Sequence, residues 1–84
     1  MEKDRAYVRH ILDSISAIEG FISGVTYEKL TENKLLQNGI IRELEVIGEA
    51  SKKLSEEFKV SLPGVEWKSI AGMRDKLIHD YFSV

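Results

Sequence analysis

The sequence predicts an all-α protein, built as an antiparallel bundle of three main helices. Three observations predict this fold class. Apolar residues recur at steps of three and four along each long segment, which is the period of a helix buried on one face. Gly24 and the Pro63-Gly64 pair lie between the segments, and short links of this kind join antiparallel helices. The length of 84 residues is enough for one domain at most.

The first predicted helix covers residues 4–23. Its apolar stripe consists of Val8, Ile11, Ile15, Ile18 and Ile22, and Leu12 widens it. Asp4 lies near the start, where a carboxylate suits the positive end of the helix dipole. Gly24 follows the last residue of the stripe, as a C-terminal glycine cap does.

Residues 25–33 are interpreted as a turn with one short helical turn over residues 26–30. A second helix is predicted over residues 32–58 from the spacing of Ile40, Leu44, Ile47, Ser51, Leu54 and Phe58. At 100° per residue its apolar arc exceeds half the circumference, so it needs at least two neighbours, and oligomerisation is the economical way to supply them. Gly48 costs about 1 kcal/mol relative to alanine inside a helix, which favours close approach of another helix there.

The third helix is predicted to begin near Glu66 or Trp67, after the Pro63-Gly64 pair. Its stripe is broad and includes Trp67, Ile70, Met73 or Arg74, Leu77 and Tyr81, with Ile78 and Phe82 beside it. Gly72 interrupts this helix. The three helices therefore run up, down and up with short links.

Composition narrows the classes of function. Twelve basic and fourteen acidic residues give a net charge of −2, so any contact with nucleic acid must be local rather than spread over a basic surface. The absence of cysteine excludes disulfides, thiolate metal sites and a cysteine nucleophile. No apolar run approaches the roughly 20 residues of a membrane helix, and the N-terminus does not resemble a signal peptide, so we expect a cytoplasmic protein.

Several polar residues cluster near the end of the chain, on the third predicted helix, in an arrangement that could form a site. Asp75 and His79 are four residues apart and can meet directly, which would fix the tautomer of the imidazole. Arg74 and Tyr81 lie within about 20° of each other, whereas Arg74 and His79 diverge by about 140° on a regular helix. Arg74 and His79 converge on one substrate only if the helix loosens or if two chains contribute. His10, by contrast, is interpreted as a solvated surface histidine without a role.

Arginine, histidine and tyrosine together suit the cleavage of RNA. Arginine binds phosphate through a planar fork of donors, and histidine moves protons near neutral pH. The ribose 2′-hydroxyl is an internal nucleophile, so no metal ion is needed. From spacing alone the signal is weak, because such residues on a terminal helix more often face solvent. One histidine with Asp75 and Asp80 does not make a zinc site, and there is no glycine-rich phosphate loop, so we expect no metal and no cofactor.

The segment Arg74-x-x-x-x-His79-x-Tyr81 resembles the signature of the HEPN superfamily, in its HepT-like branch. Three further segments resemble landmarks of that branch, in the right order between residues 4 and 82: Asp4-x-x-Tyr7-Val8-x-His10-Ile11-Leu12, Leu44-Glu45-x-Ile47-Gly48-Glu49-Ala50 and Trp67-x-x-Ile70-x-Gly72-Met73-Arg74-Asp75. The resemblance implies a single HEPN-like helical domain over residues 1–84, usually dimeric. It also implies that the family's C-terminal helix is lacking here.

The resemblance further implies a metal-independent ribonuclease toxin. Arg74 and His79 would be the catalytic pair, and Asp75, where many members have asparagine, a supporting neighbour. Tyr81 would be the residue onto which a minimal nucleotidyltransferase, the antitoxin MntA, transfers AMP. In the family the two copies of the motif meet in a cleft across the dimer. Two alternatives remain: a non-catalytic module that docks this nucleotidyltransferase and is modified by it, or a helical scaffold without a site.

Overall fold

Five helices make up the computed structural model, which describes residues 2–80; within that range the side chains at positions 2, 71, 74, 75, 77, 78 and 80 are not described. The helices are α1 (Glu2–Ile22), α2 (Tyr27–Glu32), α3 (Lys34–Lys53), α4 (Glu56–Ser61) and α5 (Trp67–Asp80). The described part of the chain holds no strand, so the all-α prediction is confirmed. The three predicted helices correspond to α1, α3 and α5.

A glycine cap and short polar caps delimit the first elements, and the glycine cap after α1 is the predicted one. Gly24 has φ +72°, a left-handed conformation that glycine adopts without a Cβ penalty. The predicted short helical turn is α2, whose N-cap is Thr26. Asn33 ends α2 and caps α3, because its side-chain oxygen accepts the N–H of Leu36 at 2.9 Å. The Gln37 amide holds the joint by donating to the last carbonyls of α2 at 2.9 Å.

The predicted second helix over residues 32–58 is wrong at its C-terminal end, since α3 stops at Lys53 and a separate helix, α4, begins at Glu56. Leu54 and Ser55 are extended, with ψ 145° and 152°. Ser55 caps α4 by accepting the N–H of Phe58 at 3.1 Å. The apolar spacing of Leu54 and Phe58 continues across this break, so periodicity alone could not reveal it.

The core lies along α3, which packs against α1 on one side and α5 on another. The buried cluster consists of Ile40, Leu44 and Ile47, and partly buried apolar residues from α1, α2, α3 and α5 pack against it. The wide apolar arc predicted for this helix therefore has two neighbours within the chain. Gly48 is buried on α3, and the close approach of another helix at this glycine stays a prediction.

Two contacts show that α1 and α3 are antiparallel. Asp4, at the start of α1, hydrogen-bonds Ser55, just beyond the end of α3. At the opposite end, the ring of Phe21 lies 3.4 Å from where a Cβ on Gly39 would stand. The start of α1 therefore lies beside the end of α3, and the end of α1 lies beside the start of α3.

An apolar groove opens between α1, α4 and α5. Its volume is about 290 Å³, and its floor includes Ile47 from the core. Leu12 and Ile15 of α1 and Leu62 beyond α4 line it, and each exposes more than 40% of its surface. The described residues thus leave an apolar face next to the helix that carries the predicted site.

Candidate active site on helix α5

Trp67 fixes the start of α5. Its indole N–H donates to the carbonyl of Lys59 in α4 at 3.3 Å, and its ring meets Phe58 edge to face with centroids 6.4 Å apart. An aromatic pair of this geometry adds stability beyond the area it buries. The tryptophan predicted to open the third helix therefore ties the helix to the segment before it.

The apolar face of α5 determines which residues point outward. Ile70 and Met73 are partly buried against the core cluster of α3. His79 lies nine residues after Ile70, which places it about 180° away around the helix axis. His79 is exposed in the last turn of α5, as this placement requires. The imidazole is thus accessible to a substrate.

The other predicted site residues fall partly or wholly outside the described residues. The backbone positions of Arg74 and Asp75 are described within α5, but their side chains are not, so the bond expected between Asp75 and His79 stays a prediction. Tyr81 lies beyond the described residues. The structure accordingly gives the register of Arg74, Asp75 and His79 on one helix, without the contacts of the first two.

The backbone of α5 is continuous from Trp67 to Asp80. Arg74 and His79 are therefore about 140° apart around a regular helix. Of the two ways in which these residues could converge on one substrate, loosening of the helix between them is contradicted by the structure. The other way, in which a second chain supplies one of the two residues, is compatible with a regular helix.

His10, the second histidine, lies on an exposed part of α1, as its interpretation as a surface residue requires. Its ring meets Tyr7 edge to face with centroids 6.0 Å apart. Lys53 approaches the same tyrosine ring, with its Nζ 5.9 Å from the centroid. His10 is thus a natural control for His79, since both are exposed and helical.

The described residues contain neither a metal-binding cluster nor a membrane-spanning helix. Among them, no three His, Asp or Glu side chains come together in a way that could hold a metal ion. No helix in this part of the chain is long and apolar enough to cross a membrane.

The family of this chain follows from its similarity to known protein families. The family model described as "Ribonuclease HepT-like" matches residues 11–84, a span that includes the whole of α5 and the segment Arg74 to Tyr81. The chain belongs to the HepT-like ribonuclease family. The family indicated by the four sequence landmarks is thereby confirmed.

Individual relatives of this HepT-like chain carry ribonuclease names. "Putative RNase TTE0752" of Caldanaerobacter subterraneus is 43% identical over 84 residues, which are the whole of this chain and 75% of the relative. "Putative RNase MJ0127" of Methanocaldococcus jannaschii is 44% identical over 80 residues, 95% of this chain and 66% of the relative. "Probable ribonuclease HepT" of Thermococcus cleftensis is 44% identical over 78 residues, 93% of this chain and 71% of the relative.

The HepT-like chain therefore spans about two thirds to three quarters of the length of these three relatives. Among solved structures, none matches it.

Proposed function

We propose that this HepT-like chain is an RNA endonuclease that works without a metal ion. Its catalytic residues are Arg74 and His79. The observation that carries the proposal is the coincidence of the family match with an exposed histidine: the match covers the Arg74-to-Tyr81 segment, and His79 stands on the solvent face of α5. Ribonuclease names among relatives at 43–44% identity support the same activity.

The chemistry needs only groups that the chain and the RNA supply. His79 takes the proton of a ribose 2′-hydroxyl, and the resulting oxygen attacks the adjacent phosphorus. The bond from phosphorus to the 5′-oxygen breaks, and that oxygen receives the proton back from the imidazolium of His79, leaving a 2′,3′-cyclic phosphate and a 5′-hydroxyl end. Arg74 binds the phosphate oxygens as charge develops on them. Asp75, four residues before His79, orients the imidazole.

The active form is a homodimer in this proposal. The regular backbone of α5 separates Arg74 and His79 by about 140°. A second copy of α5, related by a twofold axis, presents its own Arg74 or His79 to the first. Each site then uses arginine from one chain and histidine from its partner.

Control of the nuclease is proposed to occur at Tyr81. A minimal nucleotidyltransferase of the MntA type transfers AMP from ATP to the tyrosine hydroxyl and releases pyrophosphate. Tyr81 is seven residues after Arg74, so a helix that continued to it would place the two on the same side. The added phosphate then competes with RNA for the donors of Arg74. The protein is, in this account, the toxin of a toxin–antitoxin pair.

Cleavage of RNA in the presence of EDTA tests the enzymatic part. Wild-type protein should produce 2′,3′-cyclic phosphate ends, and His79→Ala should abolish them while the helical circular dichroism is unchanged. His10→Ala is the matched control, because it removes the other exposed histidine, and it should cleave like wild type. Equal cleavage by the His79→Ala protein contradicts the assignment.

Transfer of AMP tests the regulatory part and separates it from the alternative of a docking module. Incubation with an MntA-type enzyme and ATP should add the mass of AMP to the peptide that contains Tyr81. Tyr81→Phe should remove this addition, whereas Tyr27→Phe, at a tyrosine that is 68% exposed, should not. Modification of Tyr81 in a protein that leaves RNA intact indicates the docking module instead of the nuclease.

A further inference from the structure

Three lysines from three different helices line one cavity of about 180 Å³. Lys52 belongs to the last turn of α3, Lys59 to α4 and Lys68 to the first turn of α5. In the sequence they are seven and nine residues apart and resemble ordinary solvated charges. The fold brings them to a single site, although the protein as a whole has a net charge of −2.

A buried serine and a half-buried tryptophan hold the walls of this cavity in place. Its lining includes Ser51, which is 2% exposed and donates its hydroxyl to the carbonyl of Gly48 at 2.9 Å. Trp67 forms another wall, and its bond to the carbonyl of Lys59 ties α5 to α4. The site therefore has a fixed wall and cationic side chains. It also lies at the N-terminus of α5, where the helix dipole favours an anion.

Two carboxylates of this region already have partners. Glu49 pairs with Lys52 at 3.6 Å, but both side chains of this pair are more than half exposed, so the pair contributes little and is easily exchanged. Glu66, next to Trp67 in the chain, accepts the Ser69 hydroxyl at 3.2 Å. The ion pair of Lys52 therefore does not prevent the cavity from taking an anion.

An exposed ridge leads from this cavity toward His79. Lys68, Gly72 and His79 are spaced by four and seven residues, so they lie within about 40° on the outward face of α5. All three are exposed, and a Cβ placed on Gly72 would meet nothing within 4 Å. The ridge is roughly 16 Å long at 1.5 Å per residue. A strand of RNA could follow it without obstruction at Gly72.

We propose that the cavity lined by Lys52, Lys59 and Lys68 binds a backbone phosphate of the RNA substrate, a few nucleotides away from the bond cleaved at His79. This inference rests on the proposed ribonuclease function and adds to it a second point of attachment. It assigns these lysines a positioning role: they hold the strand along α5 and take no part in the chemical step.

Binding of a single-stranded RNA oligonucleotide to the uncleaving His79→Ala protein tests the attachment directly. For single strands, the slope of log K against log salt is about 0.7 per phosphate contact. Replacing Lys52, Lys59 and Lys68 by glutamine removes this one phosphate contact, so it should reduce that slope by about 0.7 and weaken binding about tenfold at low salt. Replacing all three by arginine should preserve both values.

A second triple variant controls for the loss of charge alone. Lys29, Lys34 and Arg42 are exposed and lie outside the cavity, and changing them to glutamine removes the same three charges. This control should retain most of the affinity and the salt slope. An equal loss in both triple variants overturns the assignment of a local site, as does a failure of the His79→Ala protein to bind RNA.

Kinetics then separate this inference from the proposed function. The Lys52/Lys59/Lys68 variant should raise KM for an oligonucleotide about tenfold with little change in kcat, and should cleave a dinucleotide, which is too short to reach the cavity, like wild type. If wild-type protein cleaves RNA but the variant's KM is unchanged, the inference fails and the nuclease stands.

Binding to polyglutamate tests an acidic protein as the alternative partner. If the variant loses binding to polyglutamate while RNA binding is unchanged, the cavity belongs to an acidic protein partner and the inference fails.

Discussion

The carboxylate of Asp4 accepts two hydrogen bonds from Ser55, one from the backbone N–H and one from the hydroxyl, each at 2.8 Å. Asp4 is only 4% exposed. Its partner, Ser55, is 51 residues further along the chain. The contact joins the start of α1 to the link between α3 and α4, where Ser55 also caps α4. It therefore fixes the segment that leads, through α4, to the start of α5.

Asp4→Asn should lower Tm by several degrees. An amide presents one acceptor oxygen where the carboxylate presents two, so one of the bonds from Ser55 is lost or reversed. Thermal unfolding followed by circular dichroism measures the effect. Asp13→Asn is the matched control, because Asp13 is an exposed carboxylate on the same helix, and its Tm should be close to that of wild type. Equal Tm values for both variants contradict a stabilising role for the Asp4–Ser55 contact.

The same contact predicts a loss of stability in acid. The backbone N–H of Ser55, and next its hydroxyl, hold the pKa of Asp4 below its usual value of 3.8. A carboxylate whose pKa is lower in the folded state contributes stability above its unfolded pKa, and this contribution is lost as the pH falls through the folded pKa. The Tm difference between wild type and Asp4→Asn should therefore narrow as the pH falls from about 5 to 2. A difference that widens on acidification is incompatible with this sign.

Replacing each of two buried serines by alanine should change the free energy of unfolding differently. Ser14 is 3% exposed, and its hydroxyl has no hydrogen-bond partner among the described residues, so Ser14→Ala should be neutral or stabilising by up to about 1 kcal/mol. Ser51 donates to the carbonyl of Gly48 at 2.9 Å, so Ser51→Ala should destabilise by about 0.5–1.5 kcal/mol. Urea unfolding of both variants measures the two values. A larger loss for Ser14 than for Ser51 would falsify this ordering.

Leu44 is expected to be critical for folding. It is 6% exposed at the centre of the core cluster on α3. Leu44→Ala should reduce the free energy of unfolding by about 2–5 kcal/mol, because a cavity remains where the side chain was. A protein of this length has little stability in reserve. Leu35→Ala, at a leucine 82% exposed, is the control and should change stability by less than about 0.5 kcal/mol. Comparable losses in the two variants would place the core elsewhere.

The sequence predicted elements whose signal is local. The extent of α1, the glycine cap at Gly24 and the start of α5 at Trp67 each depend on neighbouring residues, and each is observed within two residues of its predicted place. The break at Leu54 and Ser55 depends on more distant groups. Ser55 is held by Asp4 from the other end of the sequence, while the apolar period runs on through Phe58.

The candidate site also combines features that have a local sequence signal with features that depend on residues distant in the sequence. The spacing of Arg74 and His79 follows from sequence alone, and the regular backbone of α5 preserves the angle between them. The cavity formed by Lys52, Lys59 and Lys68 could not be anticipated, because its lysines come from three helices whose arrangement depends on the Trp67 contact and on the break before α4.

Complementation between two inactive variants tests the central claim most directly. In the proposed dimer, each active site lies between Arg74 of one chain and His79 of its partner. A mixed dimer of Arg74→Ala and His79→Ala chains then contains one intact site, and a random 1:1 mixture should recover about a quarter of wild-type RNA cleavage. Native mass spectrometry confirms that mixed dimers form. Mixed dimers that form and cleave no RNA would contradict the shared site.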